Sequence, residues 1–227
     1  MDNVTKISVI VPTKNEATTP RIVRDIFKIL GKNTEVIIID KSKPEYRKML
    51  YGIGGKLIIQ KHGAYEHALV EGMRMAKGDI LAAIDPDGTY TVKDLKRIID
   101  YLASHGEYGY VGGNRLNCNK EAMPFWIRFG NMFLGLVASV LIGQRMEDTL
   151  SGSFAMRTSA YATIKNMDAY VAGPTIFQIA LAKNRYRMRT IPISYYPRTG
   201  SKSKISSIKP LFGIKLALNM LVGRLVS

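Results

Sequence analysis

The 227 residues include one cysteine, Cys118, and only three histidines. A lone thiol excludes an internal disulfide, and a reducing, cytosolic setting is expected. Acidic residues are scarce, 18 Asp and Glu against 33 Lys and Arg, for a net charge of +15. No Asp or Glu follows Asp168, whereas Lys183, Arg185, Arg187, Arg189, Arg198, Lys202, Lys204, Lys209, Lys215 and Arg224 do. A field of one sign implies a polyanionic partner: nucleotide phosphates, anionic lipid or nucleic acid. Repeats and low-complexity linkers are absent, which leaves one large domain or two small ones at this length. Met1 to Lys6 carries no signal-peptide pattern. Long hydrophobic runs are missing too. The run from Met132 to Ala138 falls short of the roughly 20 apolar residues of a membrane span.

What is present is a sheet-and-helix alternation. Ile7–Val11 reads as a strand stopped by Pro12. A helix near 17–30 carries Ile22, Val23, Ile26, Phe27 and Leu30 on one face. Strands are predicted at 35–40 and 56–60, then a helix at 65–76 stopped by Gly78. A strand at 80–84, a helix at 91–104 and a strand at 108–113 follow. Apolar strands separated by helices mean a parallel sheet covered on both faces. Beyond it, Met123–Gly143 is apolar with Arg128 as its one ionisable residue. It reads as a helix buried in the protein or lying at a membrane interface. Arg185, Arg187 and Arg189 alternate with Tyr186 and Met188, giving a strand with one basic face. Ile208–Val226 fits either an amphipathic membrane-surface helix or a terminal helix packed on the core.

The strand at 80–84 ends in Asp85-Pro86-Asp87. The C-terminal ends of strands in an open α/β sheet are where ligands bind. Two close carboxylates with no Cys or His nearby suit a hard, oxygen-seeking cation, Mg²⁺ or Mn²⁺. By itself Asp-x-Asp also occurs in turns and helix caps.

In order along the chain stand Pro12-Thr13-Lys14-Asn15-Glu16, Asp40, Gly63, Lys77-Gly78-Asp79, Asp85-Pro86-Asp87-Gly88, Gly112-Gly113-Asn114-Arg115 and Glu147-Asp148-Thr149-Leu150-Ser151-Gly152. The ordered set resembles family 2 glycosyltransferases of GT-A fold, above all the dolichyl-phosphate mannose synthases and polyprenyl-phosphate glycosyltransferases. The resemblance runs from about Ile7 to about Ser206.

It implies an α/β, Rossmann-like, mostly parallel sheet flanked by helices, with C-terminal amphipathic membrane-interface helices. It implies one catalytic domain over 1–227: a nucleotide-sugar half at 1–115, an acceptor-side half at 116–206 and an amphipathic helix at 207–227. Pro12, Thr13, Asn15, Glu16 and Asp40 would hold base and ribose. Asp85 and Asp87, with Thr89 as a third ligand, would hold Mg²⁺ or Mn²⁺ and through it the pyrophosphate. Arg115 and Arg128 would meet phosphate. Asp148 would act as general base or orient the acceptor. Arg198 with Lys202 or Lys204 would close on the diphosphate from a mobile loop. His62, His67 and His105 read as structural or exposed. The implied reaction is inverting transfer of a sugar, foremost mannose from GDP-mannose, to a polyprenyl or dolichyl phosphate. The implied setting is peripheral, at the cytoplasmic face of an anionic membrane, with the oligomeric state left open.

The alternative within this reading is a UDP-sugar enzyme acting on a saccharide or lipid hydroxyl. A sugar-phosphate nucleotidyltransferase usually carries a Gly-rich basic loop after the first strand, and Pro12–Glu16 is not one. A nucleic-acid-binding protein is disfavoured because no recognition motif or aromatic stacking platform is present.

Overall fold

The computed structural model describes residues 5–61, 63–118, 120–164 and 174–199. His62, Lys202, Lys204 and the 207–227 helix expected from the sequence lie outside the described residues.

The strands are β1 (Ile7–Thr13), β2 (Glu35–Asp40), β3 (Lys56–Ile59), β4 (Ile80–Ala83), β5 (Tyr108–Asn114), β6 (Phe154–Arg157) and β7 (Arg187–Pro192). The helices are α1 (Thr19–Leu30), a short α2 (Pro44–Arg47), α3 (Tyr65–Met75), α4 (Val92–Ser104), α5 (Phe125–Ile142), a short α6 (Thr158–Ala162) and α7 (Thr175–Lys183). One seven-stranded sheet runs β3-β2-β1-β4-β6-β5-β7. β6 is antiparallel to both β4 and β5, and the other pairings are parallel.

Strand alternation divides the core between the two faces. Val9 and Val11 pack with Ile22, Ile26, Leu95 and Ile98 of α1 and α4. Ile10, Ile37 and Ile39 pack with Leu69 and Met73 of α3 on the other face, in the core that also takes Leu134 and Ala138 of α5. This is why β1 and β2 are continuous Val/Ile runs rather than polar-alternating ones. Gly72 lets α3 approach β1, because a Cβ there would lie 2.5 Å from Ile10 Cγ2.

Chain order reverses beside β1: β2 and β3 lie on one flank and β4 on the other. Register aligns Thr13 with Asp40, and β4 delivers Asp85 to the same rim. Such a switch point is where open α/β sheets bind ligands. Because β6 is antiparallel, with Phe154 opposite Ala83 and Gly112, its N-terminal approach at 148–153 reaches that rim as well. Sequence periodicity does not separate a four-residue strand such as β6 from a buried loop, and it does not disclose α6 or α7 either.

α5 departs from the alternative of a helix buried in the protein. Most of it is exposed or half-buried, and, contrary to the expectation from the 132–138 run, by length and composition it could cross a membrane. Asn131, Leu134, Gly135, Ala138 and Ile142 face inward. Phe125, Trp126, Phe129, Met132, Phe133, Leu136 and Val140 are exposed, Trp126 at 80% and Val140 at 76%.

Candidate active site

The nucleotide-side residues sit on the first two strand ends. Asn15 adopts a left-handed φ of 58°. Its N–H donates to Ser42 Oγ and its Oδ1 accepts from Lys43 N–H, both at 2.8 Å, tying the β1 and β2 loops together. Thr13 Oγ1 lies 2.8 Å from Thr19 Oγ1. Asp40 is fully buried. Its Oδ1 accepts from Ser42 N–H at 2.9 Å and its Oδ2 from Arg47 Nε at 2.6 Å. No sequence motif points to Arg47, because its proximity to Asp40 depends on the α2 turn. Lys41 Nζ donates to the Gly63 carbonyl at 2.5 Å, joining the β2 loop to the start of α3.

The Asp-x-Asp turn forms the centre. Asp85 Oδ1 accepts from the Tyr65 hydroxyl at 2.6 Å. Burial and the Asp85 charge push the Tyr65 pKa up, which keeps the phenol a donor. A Cβ on Gly152 would collide with the Asp85 carboxylate, so only glycine admits this approach. Burial, then the charge of Asp87, push the Asp85 pKa up to about 7; the Tyr65 hydrogen bond, Arg115 and Arg198 oppose the rise. Asp87 Oδ1 accepts from Thr89 Oγ1 at 2.6 Å and from Thr89 N–H at 3.1 Å. Thr89, expected as a third ligand, is buried and its hydroxyl donates to Asp87.

Among the described residues, no group of three or more His, Cys, Asp or Glu is placed to hold a metal. Two repelling carboxylates with free oxygen lone pairs fit a cation that completes its shell with phosphate and water oxygens, as Mg²⁺ and Mn²⁺ do.

A strap beyond β7 closes over this turn. Ile193 N–H bonds the Asn114 carbonyl at 3.0 Å, Ser194 N–H bonds Asp94 Oδ2 at 3.2 Å, and Tyr196 N–H bonds the Thr89 carbonyl at 3.0 Å. The strap brings Arg198 to Glu16, with which it is ion-paired, and sets its Nη1 3.7 Å from Asp87 Oδ2. Arg198 therefore bridges Glu16 and Asp87.

Arg115 and Asp148 form a buried pair. Nε donates to Oδ2 at 2.7 Å, Nη2 to Oδ1 at 2.8 Å, and the Arg115 backbone N–H to Oδ2 at 3.0 Å. Burial works against the Arg115 charge, but Asp148 outweighs it and holds the guanidinium protonated. The third guanidinium nitrogen donates to the Tyr90 hydroxyl at 3.2 Å, which also accepts Gly152 N–H at 2.8 Å. The Tyr195 ring stands 5.3 Å from the guanidinium carbon. Tyr65, Tyr90 and Tyr195 are site residues that the sequence does not single out. Their signal is weak: tyrosines beside the quoted motifs, with burial that no pattern discloses. Both carboxylate oxygens of Asp148, expected as general base or acceptor-orienting group, are thus engaged by Arg115.

Arg128, in the second turn of α5, donates from Nη2 to the Cys118 carbonyl at 2.6 Å, and its Nε is buried without a hydrogen-bond partner. Among the described residues, no hydrogen bond or ion pair joins it to the carboxylate cluster. The two described histidines are local: His67 Nδ1 accepts Ala64 N–H at 3.2 Å, and His105 stacks on Tyr101.

The chain is similar to a dolichyl-phosphate hexose transferase of Haloferax volcanii, 26% identical over 195 residues, 86% of this chain and 84% of that one. It is 23% identical over 219 residues to a dolichol-phosphate mannosyltransferase of Pyrococcus furiosus, covering 88% of this chain and 59% of that one. In fold it resembles glucosyl-3-phosphoglycerate synthase from Mycobacterium tuberculosis, solved with Mn²⁺, UDP and phosphoglyceric acid, at a TM-score of 0.72 and 14% identity over 97% of this chain and 79% of that one. The model of glycosyl transferase family 2 matches residues 8–165, and with this GT-A architecture the chain belongs to that family.

Proposed function

We propose that the protein transfers a sugar, foremost mannose from GDP-mannose, to a polyprenyl or dolichyl phosphate at the cytoplasmic face of a membrane, with inversion at the anomeric carbon. The observation that carries the acceptor class is the burial of Asp148 in its bidentate pair with Arg115. A hydroxyl acceptor needs a base to remove its proton. A phosphate monoester, with a second pKa near about 6, arrives already ionised. A site whose expected base is locked suits the second kind of acceptor. The names of the archaeal relatives point the same way.

The acceptor oxygen attacks the anomeric carbon, and the bond from that carbon to the diphosphate oxygen breaks. The hard part is the charge growing on the leaving diphosphate. Mg²⁺ or Mn²⁺, held by Asp85 and Asp87, would supply Lewis-acid neutralisation of that charge. Arg198 would exchange Glu16 and Asp87 for diphosphate oxygens. Thr89 and Tyr65 keep Asp87 and Asp85 aimed at the rim. Arg115 adds positive potential from beneath. Pro12, Thr13, Asn15, Glu16 and Asp40 would seat the nucleoside, and Lys202 or Lys204 would approach the diphosphate from the loop after Arg198. The exposed stripe of α5 would rest in the lipid interface and bring the acceptor's isoprenoid chain to the rim.

The test is donor-linked stabilisation followed by transfer. Melting shifts with GDP-mannose, UDP-glucose and UDP-N-acetylglucosamine, with and without Mn²⁺, identify the donor. Radiolabelled donor is then offered dolichyl phosphate and dolichol. Label entering dolichol but not its phosphate would overturn the acceptor assignment in favour of the UDP-sugar, hydroxyl-acceptor reading.

A further inference from the structure

Arg187 and Arg189 occupy alternate positions of β7, and the transfer reaction gives them no task. β7 is the outer strand of the sheet, and both side chains are exposed. The Arg187 guanidinium stands 5.8 Å from the Tyr108 ring centre. Among the described residues neither arginine has a carboxylate partner, and no Asp or Glu follows Asp168 to supply one later in the chain.

The two arginines line a groove of about 590 Å³ along the free edge of β7. Its opposite wall is the turn after α5, fixed by the Gln144 amide. Nε2 donates to the Tyr186 carbonyl at 2.7 Å, and Oε1 accepts Met188 N–H at 2.9 Å. Arg145 lines the groove too, but Glu147 offsets it at 2.8 Å. Among the described residues, Arg187 and Arg189 remain without a carboxylate partner, with Glu147 lining the groove beside Arg145.

Through Gln144 and Arg145 the groove joins a second depression, lined by Leu136 and Val140 at the C-terminal end of the exposed α5 stripe. An apolar ridge running directly into these arginines is complementary to an amphiphile, with acyl chains against the ridge and phosphate in the groove. A nucleic acid would take the arginines and leave the ridge in water. The groove also takes in Glu147 and Pro192, so its far end reaches the rim of the transfer site while Arg187 stands at the opposite end. Arg187 lies opposite Tyr108 at the start of β5, whereas Pro192 lies opposite Asn114 at its end, beside Arg115.

We propose that the β7-edge groove binds the headgroups of an anionic phospholipid bilayer through Arg187 and Arg189, with the α5 stripe seated in the same leaflet. This rests on the membrane setting proposed above and adds a headgroup site that fixes which way the rim faces on the bilayer.

The test is sedimentation of the full chain with phosphatidylcholine vesicles, alone or containing phosphatidylserine, at physiological salt. A basic residue near such a surface contributes about 1 kcal/mol. The double variant Arg187→Gln/Arg189→Gln should therefore lower partitioning to the anionic vesicles by about 30-fold. Partitioning to neutral vesicles and donor-linked melting shifts should not change. Arg187→Lys/Arg189→Lys should restore most of the anionic preference, which a purely structural role for the arginines would not give. An undiminished anionic preference in the Gln double variant would overturn the proposal. Failure of every nucleotide sugar to stabilise the protein would sink the transfer reading while leaving an arginine-dependent vesicle preference intact.

Discussion

The Arg115 and Asp148 side chains, 33 residues apart in sequence, meet in two parallel hydrogen bonds of 2.7 and 2.8 Å in the protein interior. Each satisfies a charge that would be costly to bury alone, and the pair anchors β5 to the approach of β6. Removing one partner of a buried ion pair typically costs about 3–5 kcal/mol. Asp148→Ala should therefore lower unfolding stability by that order in urea. Asp148→Asn, assayed with a lipid phosphate, should keep the shape of the wild-type pH–rate profile, since no proton passes through this side chain. Loss of the acidic limb, the fall in rate toward low pH, would restore Asp148 as a base.

Asp87→Ala should leave the melting profile of the ligand-free protein nearly unchanged and abolish metal-dependent nucleotide binding. Titration of a nucleoside diphosphate in the presence of Mn²⁺ reads this directly. Normal Mn²⁺-dependent turnover in the variant would show that the ion sits elsewhere.

The pKa of Asp85, raised to about 7 by burial and by Asp87, fixes a sign. The folded protein holds this proton more tightly than the unfolded chain, whose carboxyl titrates near about 3.9. The associated stability is fully present below that value and is lost as pH rises through about 7. Without metal, Asp85→Asn should flatten the decline in melting temperature between roughly pH 4 and 7. A wild-type slope retained in this variant would mean that other groups govern it.

Arg198→Ala should lower kcat/KM for the donor by about ten- to a hundredfold, the value of one charge-assisted contact of roughly 1.5–3 kcal/mol. Glu16 and Asp87 would then be left facing each other without their cation, so Mn²⁺ affinity in the absence of nucleotide should rise. Unchanged donor kinetics would leave Arg198 as a structural strap alone.

Phe129 and Leu136 face solvent from one stripe of α5. Phe129→Glu/Leu136→Glu should abolish binding to neutral vesicles and turnover with a long-chain lipid acceptor. Donor-linked melting shifts should stay at wild type. Equal vesicle binding by variant and wild type would remove α5 from the membrane interface.

The parts legible from residues alone are those set by local periodicity. Val9–Val11 and Val36–Ile39 are apolar runs that only a doubly covered strand accommodates, so local pattern suffices to place β1 and β2 and their acidic ends. The same holds for the amphipathic faces of α1 and α4. The 123–143 segment reads as a helix, but its composition alone leaves buried and interfacial placements equally open. Apolarity states what a face avoids, not what covers it.

Pairing was decided only in three dimensions. Glu16 and Arg198 meet across 182 residues, and no spacing rule reaches that far. Thr89, expected as a ligand, turns its proton toward Asp87, while Asp40 is occupied by Arg47. The one-dimensional pattern determined which carboxylates arrive at the sheet's rim, because strand period and strand ends are local properties of the backbone. Which of them are neutralised by arginine, and which remain open toward a ligand, was decided by the antiparallel insertion of β6 and the strap after β7, because charge pairing depends on distances between elements that sequence order does not contain.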